Sequence, residues 1–211
     1  IVLTDLYLGR SLNSKKIIIE KIPYFLLSLI FGIIAIGVQA SEGAIKTTSY
    51  FSFPLYQKFV FSCSSFIHYL SNIILPIKLM PLYTYPIKAG DEVPIIYLSF
   101  VVFVIFILFL IWKSYKKNKI IFFGAMFFLI NLLPLLQLIQ VGYAMMADRY
   151  AYIPSIGIFI IIGCLFHSVK MTKHKIIYPL SIIFFCLFLS YLSYYTYDQC
   201  KAWNNTLTLW N

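Results

Sequence analysis

The chain has 211 residues, of which 61% are hydrophobic, 19% aromatic and 11% charged, and its formal net charge is +10 at pH 7. This composition excludes an ordinary soluble domain. Apolar stretches of about 17 to 20 residues match the roughly 30 Å thickness of the hydrocarbon layer of a bilayer. Because these stretches are continuously apolar and do not alternate with a period of two, the sequence predicts an all-α integral membrane protein.

Five transmembrane helices are predicted, separated by polar or basic segments. In chain order they are 22–39, 95–112, 120–139, a run that begins within 146–157 and ends near Phe166, and 176–195. The third is interrupted by Asn131, Pro134 and Gln137. Such residues within a span usually face other helices or a cavity, because lipid cannot satisfy them.

The predicted orientation follows from the distribution of Lys and Arg. The segments assigned to the cytoplasm, 1–21, 113–119 and 167–175, hold 11 Lys and Arg against 2 acidic residues, whereas the external segments hold 6 against 5. Cytoplasmic loops of membrane proteins carry such an excess. The N-terminus is therefore predicted to be cytoplasmic and the C-terminus extracytoplasmic, in a periplasm or lumen. Topology explains the basic charge, so no nucleic-acid partner is expected.

The segment 55–75 is apolar but rich in serine, and it is predicted to lie in the external interface as an amphipathic helix. If it crossed the membrane, the basic cluster at 113–119 would be placed on the wrong side. The polar residues that recur on one face are Ser64, Ser65, His68, Ser71 and Asn72. The proline-rich segment 76–94 that follows is predicted to be an external loop.

The most informative stretch is MADRYAYIPSIG at 146–157, where Asp148 and Arg149 stand before a long apolar run. Arg149 is one of two arginines in the chain. Pro154 suits the first turn of a helix because it has no N–H to leave unpaired. A guanidinium beside a helix N-terminus forms a site for an anion.

These residues, with others on the external side, predict a site for a lipid whose head group carries phosphate, since charge-assisted hydrogen bonds from guanidinium to phosphate are strong. The residues assigned to this site are Arg149, Asp148, Tyr150, Lys78, Tyr83, Tyr85 and His68. Two plainer interpretations stay open. In one, Asp148 and Arg149 only anchor and neutralise a helix end. In the other, the tyrosines and lysines form a generic interfacial belt.

The sequence contains none of the common nucleotide-binding, hydrolase or zinc-protease motifs. Its four cysteines have no CxxC spacing, which argues against a zinc site or a disulfide framework. No catalytic residue, metal ligand or cofactor is therefore assigned, and membrane lipid is the expected partner.

Four motifs in succession resemble one family. They are EKIPYFLLSLI and the following residues to Gln39, LPIKLMPLYTYP at 75–86, MADRYAYIPSIG at 146–157, and WNNTLTLW at 203–210. Together they resemble the membrane portion of the TMTC-type, protein O-mannosyltransferase-like proteins and of bacterial relatives that join a multi-spanning domain to tetratricopeptide (TPR) repeats. The third motif is the most specific of the four.

The resemblance implies a GT-C-class glycosyltransferase that transfers a sugar from a polyprenyl-phosphate donor to an acceptor hydroxyl on the extracytoplasmic side. It implies that Arg149 binds the lipid phosphate and that Tyr83 and Tyr85 lie near the donor. The catalytic acid of that class belongs to an earlier external loop, so the chain is expected to be a fragment. Residues 1–198 then form the membrane domain, and 199–211 lead toward TPR repeats that bind a protein acceptor or partner. The alternative is a non-catalytic membrane anchor for a TPR scaffold.

Overall fold

The computed structural model describes residues 1–11, 14–41, 53–77, 79–88, 91–138, 144–170 and 177–202. Within these ranges the chain is almost entirely helical, which confirms the predicted all-α class. The helices are α1 (Val2–Tyr7), α2 (Lys15–Ser41), α3 (Leu55–Ile74), α4 (Ile96–Lys117), α5 (Lys119–Leu132), α6 (Tyr152–Lys170) and α7 (Ile177–Ala202). Two short strands in the described ranges, β1 (Tyr83–Thr84) and β2 (Ala144–Met146), form one small sheet.

Four helices of the described chain are long and apolar enough to cross a membrane: α2, α4, α6 with the turn before it, and α7. They coincide with four of the predicted spans and are compatible with a multi-pass membrane protein. In α2 every residue from Ile22 to Ser41 is exposed. An apolar helix that the described protein leaves uncovered needs lipid or a protein partner around it. The 20-residue helix α3 is not among the four, in agreement with its assignment as a non-crossing segment.

The predicted span at 120–139 is not one continuous helix. α5 ends after 14 residues and is followed by a single 3-10 turn, Leu133–Leu135. Pro134 lies in this turn and explains the end of α5, because proline has no N–H to continue the helical ladder. The side chain of Asn131 donates to a carbonyl one turn earlier in α5 at 2.8 Å, so its polarity is satisfied within the helix. Four of the five predicted spans are thus supported, and the span at 120–139 stays a prediction.

The domain boundary predicted at residue 198 does not coincide with the end of a helix. α7 continues through it to Ala202. The segment 203–210, which carries one of the family-like motifs, lies outside the described residues.

The largest buried cluster lies among α3, α5, α6 and β2. Its buried members are Phe53, Phe61, Phe66, Tyr69, Phe128, Leu132, Met145, Met146 and Ile158. α3 is the predicted amphipathic helix, but part of its polar face is turned into the protein, since Ser64 and Ser65 are completely buried. α3 is therefore a central helix of the fold and not a peripheral one.

Polar side chains of α3 also bind the backbone of connecting segments. Ser62 Oγ donates to the carbonyl of Leu136 at 2.7 Å, and Gln57 Nε2 donates to the carbonyl of Asp91 at 2.9 Å. Backbone carbonyls that leave the helical ladder require another donor when water is excluded. α3 thereby fixes the end of α5 and the loop that precedes α4.

An ion cluster joins α1 to the start of α2. Asp5 is buried and pairs with Lys21, and the Arg10 guanidinium lies 3.0 Å from Asp5 and 3.1 Å from Glu20. Lys21, and after it Arg10, hold the pKa of the Asp5 carboxyl below its ordinary value. Gly9, with φ of 71°, ends α1 and turns the chain so that Arg10 points back toward Asp5.

The closest helix contact is between α5 and α6 at two glycines. A Cβ atom added to Gly124 would lie 2.6 Å from the carbonyl oxygen of Gly157, and one added to Gly157 would lie 2.7 Å from the backbone nitrogen of Phe128. Small residues permit this approach of two backbones. Asn118 Nδ2 lies 3.5 Å from Cys164 Sγ, so the start of α5 faces the later part of α6 and the two helices are antiparallel.

We predict that Gly157→Ala destabilises the protein by about 1–3 kcal/mol, because the added methyl group meets backbone atoms that can move only if the helices separate. The measurement is the midpoint of thermal unfolding of the purified chain in detergent. Gly163→Ala on the same helix is the matched control, since nothing lies within 4 Å of its added Cβ. Equal losses for the two variants would contradict the close-contact explanation.

Candidate functional site

The sheet brings the loop after α3 to the segment before α6. β1 and β2 are antiparallel, with Tyr83 opposite Met146 and Thr84 opposite Ala144. Asp148 follows β2 by two residues. Residues that are 65 positions apart in the sequence, Tyr83 and Asp148, are therefore neighbours.

The carboxylate of Asp148 accepts three hydrogen bonds. Oδ1 accepts from Asn72 Nδ2 at 3.0 Å, and Oδ2 accepts from the Tyr83 hydroxyl at 2.8 Å and from the backbone N–H of Met80 at 2.9 Å. The three donors belong to α3, to the following loop and to β1. Burial, and the hydrogen bond to this carboxylate, raise the pKa of the Tyr83 hydroxyl above its usual range. We call Asp148 with these three donors the Asp148 clasp.

A second polar contact fixes the residue before Asp148. The hydroxyl of Tyr69 donates to the Ala147 carbonyl and accepts from the Ala147 N–H, both at 3.1 Å. Tyr69 and Ala147 are both completely buried. Burial raises the pKa of Tyr69 to about 12. Together with the Asp148 clasp, this reciprocal pair sets the backbone from which Arg149 projects.

Arg149 is exposed. Its guanidinium carbon lies 5.1 Å from the centroid of the Tyr150 ring, and one of its N–H groups donates to the Tyr150 hydroxyl at 3.4 Å. Among the described residues no carboxylate forms an ion pair with it. Asp148 and Arg149 form no ion pair with each other, because both Asp148 oxygens accept hydrogen bonds from other donors. The interpretation in which the two residues only anchor and neutralise a helix end stays open.

The remaining predicted site residues have different surroundings. The Tyr85 ring packs against Phe53 at 4.8 Å and Phe61 at 5.5 Å between centroids, and burial raises the pKa of Tyr85 to about 12. His68 is exposed on α3 and its ring lies 5.6 Å from that of Phe100 on α4. Lys78 lies outside the described residues. The structure thus brings Asp148, Arg149, Tyr150 and Tyr83 together and places Tyr85 in an aromatic cluster.

Sequence reasoning missed three contributors to this site: Asn72, Tyr69 and the backbone N–H of Met80. Asn72 could be recognised only as part of a polar helix face. Tyr69 falls among the apolar residues of α3, and its hydroxyl carries no signal of a partner 78 positions away. The described residues contain no group of three or more His, Cys, Asp or Glu side chains that could hold a metal ion.

Comparisons with protein-family models, with curated proteins and with solved structures find no match to this chain. The site is therefore interpreted from its own chemistry. An exposed guanidinium, fixed at the start of an apolar helix and flanked by a tyrosine hydroxyl, is suited to binding a phosphate or carboxylate.

We predict that Asp148→Ala releases the loop 79–88, because three donors lose their common acceptor. Hydrogen exchange should show the Met80 amide exchanging at least about tenfold faster, which corresponds to the loss of one hydrogen bond of about 1.5 kcal/mol to a charged group. Asp198→Ala is the matched control, because that carboxylate is exposed and pairs only with Lys201 at 2.8 Å in the described chain. Unchanged protection of Met80 in Asp148→Ala would refute the clasp.

The raised pKa of Tyr69 predicts that the stability of the protein depends on pH. Its folded pKa of about 12 exceeds the unfolded value of 10, so its contribution to stability is fully present below pH 10 and is lost between about pH 10 and 12. In Tyr69→Phe we expect a lower stability at pH 7, by about 1–3 kcal/mol for the unpaired Ala147 groups, and a shallower decline between about pH 10 and 12. Chemical denaturation at several pH values measures both effects.

Tyr152→Phe is the control for this experiment at pH 7, since the Tyr152 side chain is 80% exposed. We expect it to change the stability by less than about 0.5 kcal/mol. An alkaline decline in Tyr69→Phe as steep as in the unmodified chain would show that Tyr69 does not cause it.

Proposed function

We propose that this chain is part of a GT-C-like membrane glycosyltransferase that uses a polyprenyl-phosphate sugar on the extracytoplasmic side. In the reaction, the bond between the sugar C1 and the phosphate oxygen breaks, the acceptor hydroxyl oxygen bonds to C1 and loses its proton, and polyprenyl phosphate leaves. Arg149 binds the phosphate and stabilises its developing negative charge. No catalytic base is assigned within the chain.

The proposal is based on the exposure of the Arg149 guanidinium and on its lack of an ion-pair partner among the described residues. The backbone just before Arg149 is held by the Asp148 clasp and the Tyr69–Ala147 pair. A cation that projects from an ordered backbone and has no counter-ion among the described residues is suited to an anionic ligand. Its position at the start of α6, an apolar helix long enough to cross a membrane, suits a phosphate that is attached to a lipid.

The topology is part of the proposal. In it, α5 with its 3-10 turn is the third of five spans, the N-terminus is cytoplasmic, and α3, the loop 79–88 and Arg149 lie on the external side. The motifs that resemble the TMTC-type and bacterial TPR-linked proteins support this arrangement. Tyr83 then has a structural role through Asp148, and the hydroxyl of Tyr150 contributes to the phosphate site beside Arg149.

We predict that Arg149→Ala weakens binding of a polyprenyl monophosphate about 10- to 100-fold, because a hydrogen bond to a charged group contributes about 1.5–3 kcal/mol. The purified chain in detergent is titrated with the lipid and binding is followed by native mass spectrometry. In the whole protein, the same substitution should strongly reduce sugar transfer.

Lys88→Ala is the matched control, since this exposed lysine belongs to the same loop region as Tyr83 and its backbone, not its side chain, bonds to Asp91. Its affinity should stay close to that of the unmodified chain. Equal binding by Arg149→Ala and the unmodified chain, with equal thermal stability, would reject the phosphate site. Binding that is intact but never followed by sugar transfer in the whole protein would favour the membrane anchor of a TPR scaffold.

A further inference from the structure

A separate cavity lies at the opposite end of the α5–α6 pair from Arg149. It has a volume of about 470 Å³ and is formed by α1 with the turn after it, the end of α4 and the start of α5. Because α5 and α6 are antiparallel, the start of α5 faces the later part of α6, whereas Arg149 precedes α6. The cavity is therefore independent of the proposed sugar-transfer site.

The walls of the cavity are fixed by aromatic contacts. The rings of Tyr7 on α1 and Phe123 on α5 are 5.1 Å apart, and those of Tyr115 on α4 and Phe122 on α5 are 4.9 Å apart. Asn118, between the two helices, accepts hydrogen bonds from the N–H groups of Ile120 and Ile121 and so fixes the start of α5. Three separate helices thus form one defined pocket.

The charged residues of the described chain that line the cavity are all basic. They are Arg10, Lys116 and Lys119. Arg10 is held in place by Asp5 and Glu20, and with Lys21, which also pairs with Asp5, the four charges of this cluster sum to zero. Lys116 and Lys119 are exposed and belong to no ion pair among the described residues. The cavity is therefore lined by two lysines without an ion-pair partner among the described residues and by an arginine that has two.

Part of the lining is apolar. It includes Leu3, Leu6, Phe122 and Phe123, and two tyrosines, Tyr7 and Tyr115, also line the cavity. A free inorganic anion would use the cations and leave these apolar walls unused. A ligand with an anionic head and an apolar part matches both. The last turn of α4, a helix long enough to cross a membrane, carries Lys116 and Lys117, which is where head groups are found.

We propose that this cavity binds the head group and glycerol region of an anionic glycerophospholipid. The phosphate lies between Lys116 and Lys119 with Arg10 behind it, and the proximal acyl carbons contact Leu6 and Phe122. In the proposed topology this is a lipid of the cytoplasmic leaflet, but binding itself depends only on the residues of the cavity.

The experiment compares three probes on the full chain in non-ionic detergent with 0.1 M salt: phosphatidylglycerol, phosphatidylcholine and inorganic phosphate. Native mass spectrometry measures retention of each lipid, and phosphate is added as a competitor. We expect phosphatidylglycerol to bind at least about tenfold more tightly than phosphatidylcholine. Equal binding of the two lipids overturns the proposal. Displacement of phosphatidylglycerol by millimolar phosphate also overturns it, because the site would then be one for a free anion.

Two double variants distinguish lipid binding in the cavity from a general attraction of the lipid to basic residues. Lys116→Gln with Lys119→Gln should weaken phosphatidylglycerol binding at least about tenfold. Lys113→Gln with Lys117→Gln removes the same charge from exposed lysines that do not line the cavity. Because these ammonium groups make no contact with the bound head group in the proposal and 0.1 M salt weakens the attraction of exposed charges, the affinity should change less than about threefold. Equal losses for both pairs, with unchanged thermal stability, would show diffuse attraction and no site.

Discussion

The carboxylate of Asp148 is the point at which three otherwise separate parts of the chain meet. It accepts hydrogen bonds from α3, from the loop that follows it and from β1. A two-stranded ladder as short as β1–β2 has little stability of its own in isolation. The Asp148 clasp and the neighbouring Tyr69–Ala147 pair therefore supply the order of this region, and the exposed position of Arg149 depends on them. Asp148 orders the backbone next to Arg149 and forms no ion pair with it.

This arrangement depends on α3, whose side chains bind the connecting segments. Its buried serines, Gln57, Tyr69 and Asn72 are distributed along one helix, and several of them bind backbone groups of segments far away in the sequence. An amphipathic pattern states that one side of a helix is polar, but it does not say whether water or protein satisfies that side. Here the outcome differs along the face: Asn72 donates to Asp148, whereas the buried hydroxyls of Ser64 and Ser65 have no hydrogen-bond partner among the described residues. His68 and Ser71 are exposed. The helix organises the loops through Ser62, Gln57 and Tyr69, which bind their backbone groups.

Much of the helical architecture could be predicted from the sequence, because long apolar runs and their flanking lysines reflect local composition. The site could be predicted only in part. Arg149, Asp148 and Tyr150 are neighbours in the sequence, and in the structure Arg149 contacts Tyr150 whereas Asp148 is bound by other residues. Asp148 binds Tyr83, Asn72 and Met80 only because two strands pair across more than 60 residues of sequence. One of the three donors is a backbone N–H. Neither feature can be predicted from the pattern of side chains. The early end of α5 follows from Pro134, whose effect on helix length was underestimated.

In the proposed topology, in which α5 spans the membrane, its shortness has a consequence for the surrounding lipid. Together with its 3-10 turn it extends about 25 Å at 1.5 Å per residue, less than the roughly 30 Å of a typical hydrocarbon layer. Its neighbours α4 and α6 have 22 and 19 residues, and the glycine contact prevents α5 from sliding along α6 to equalise their ends. A bilayer that meets helices of unequal length responds by local thinning or by helix tilt. Such hydrophobic mismatch would deform the leaflet beside α5 and bring head groups inward along its flank.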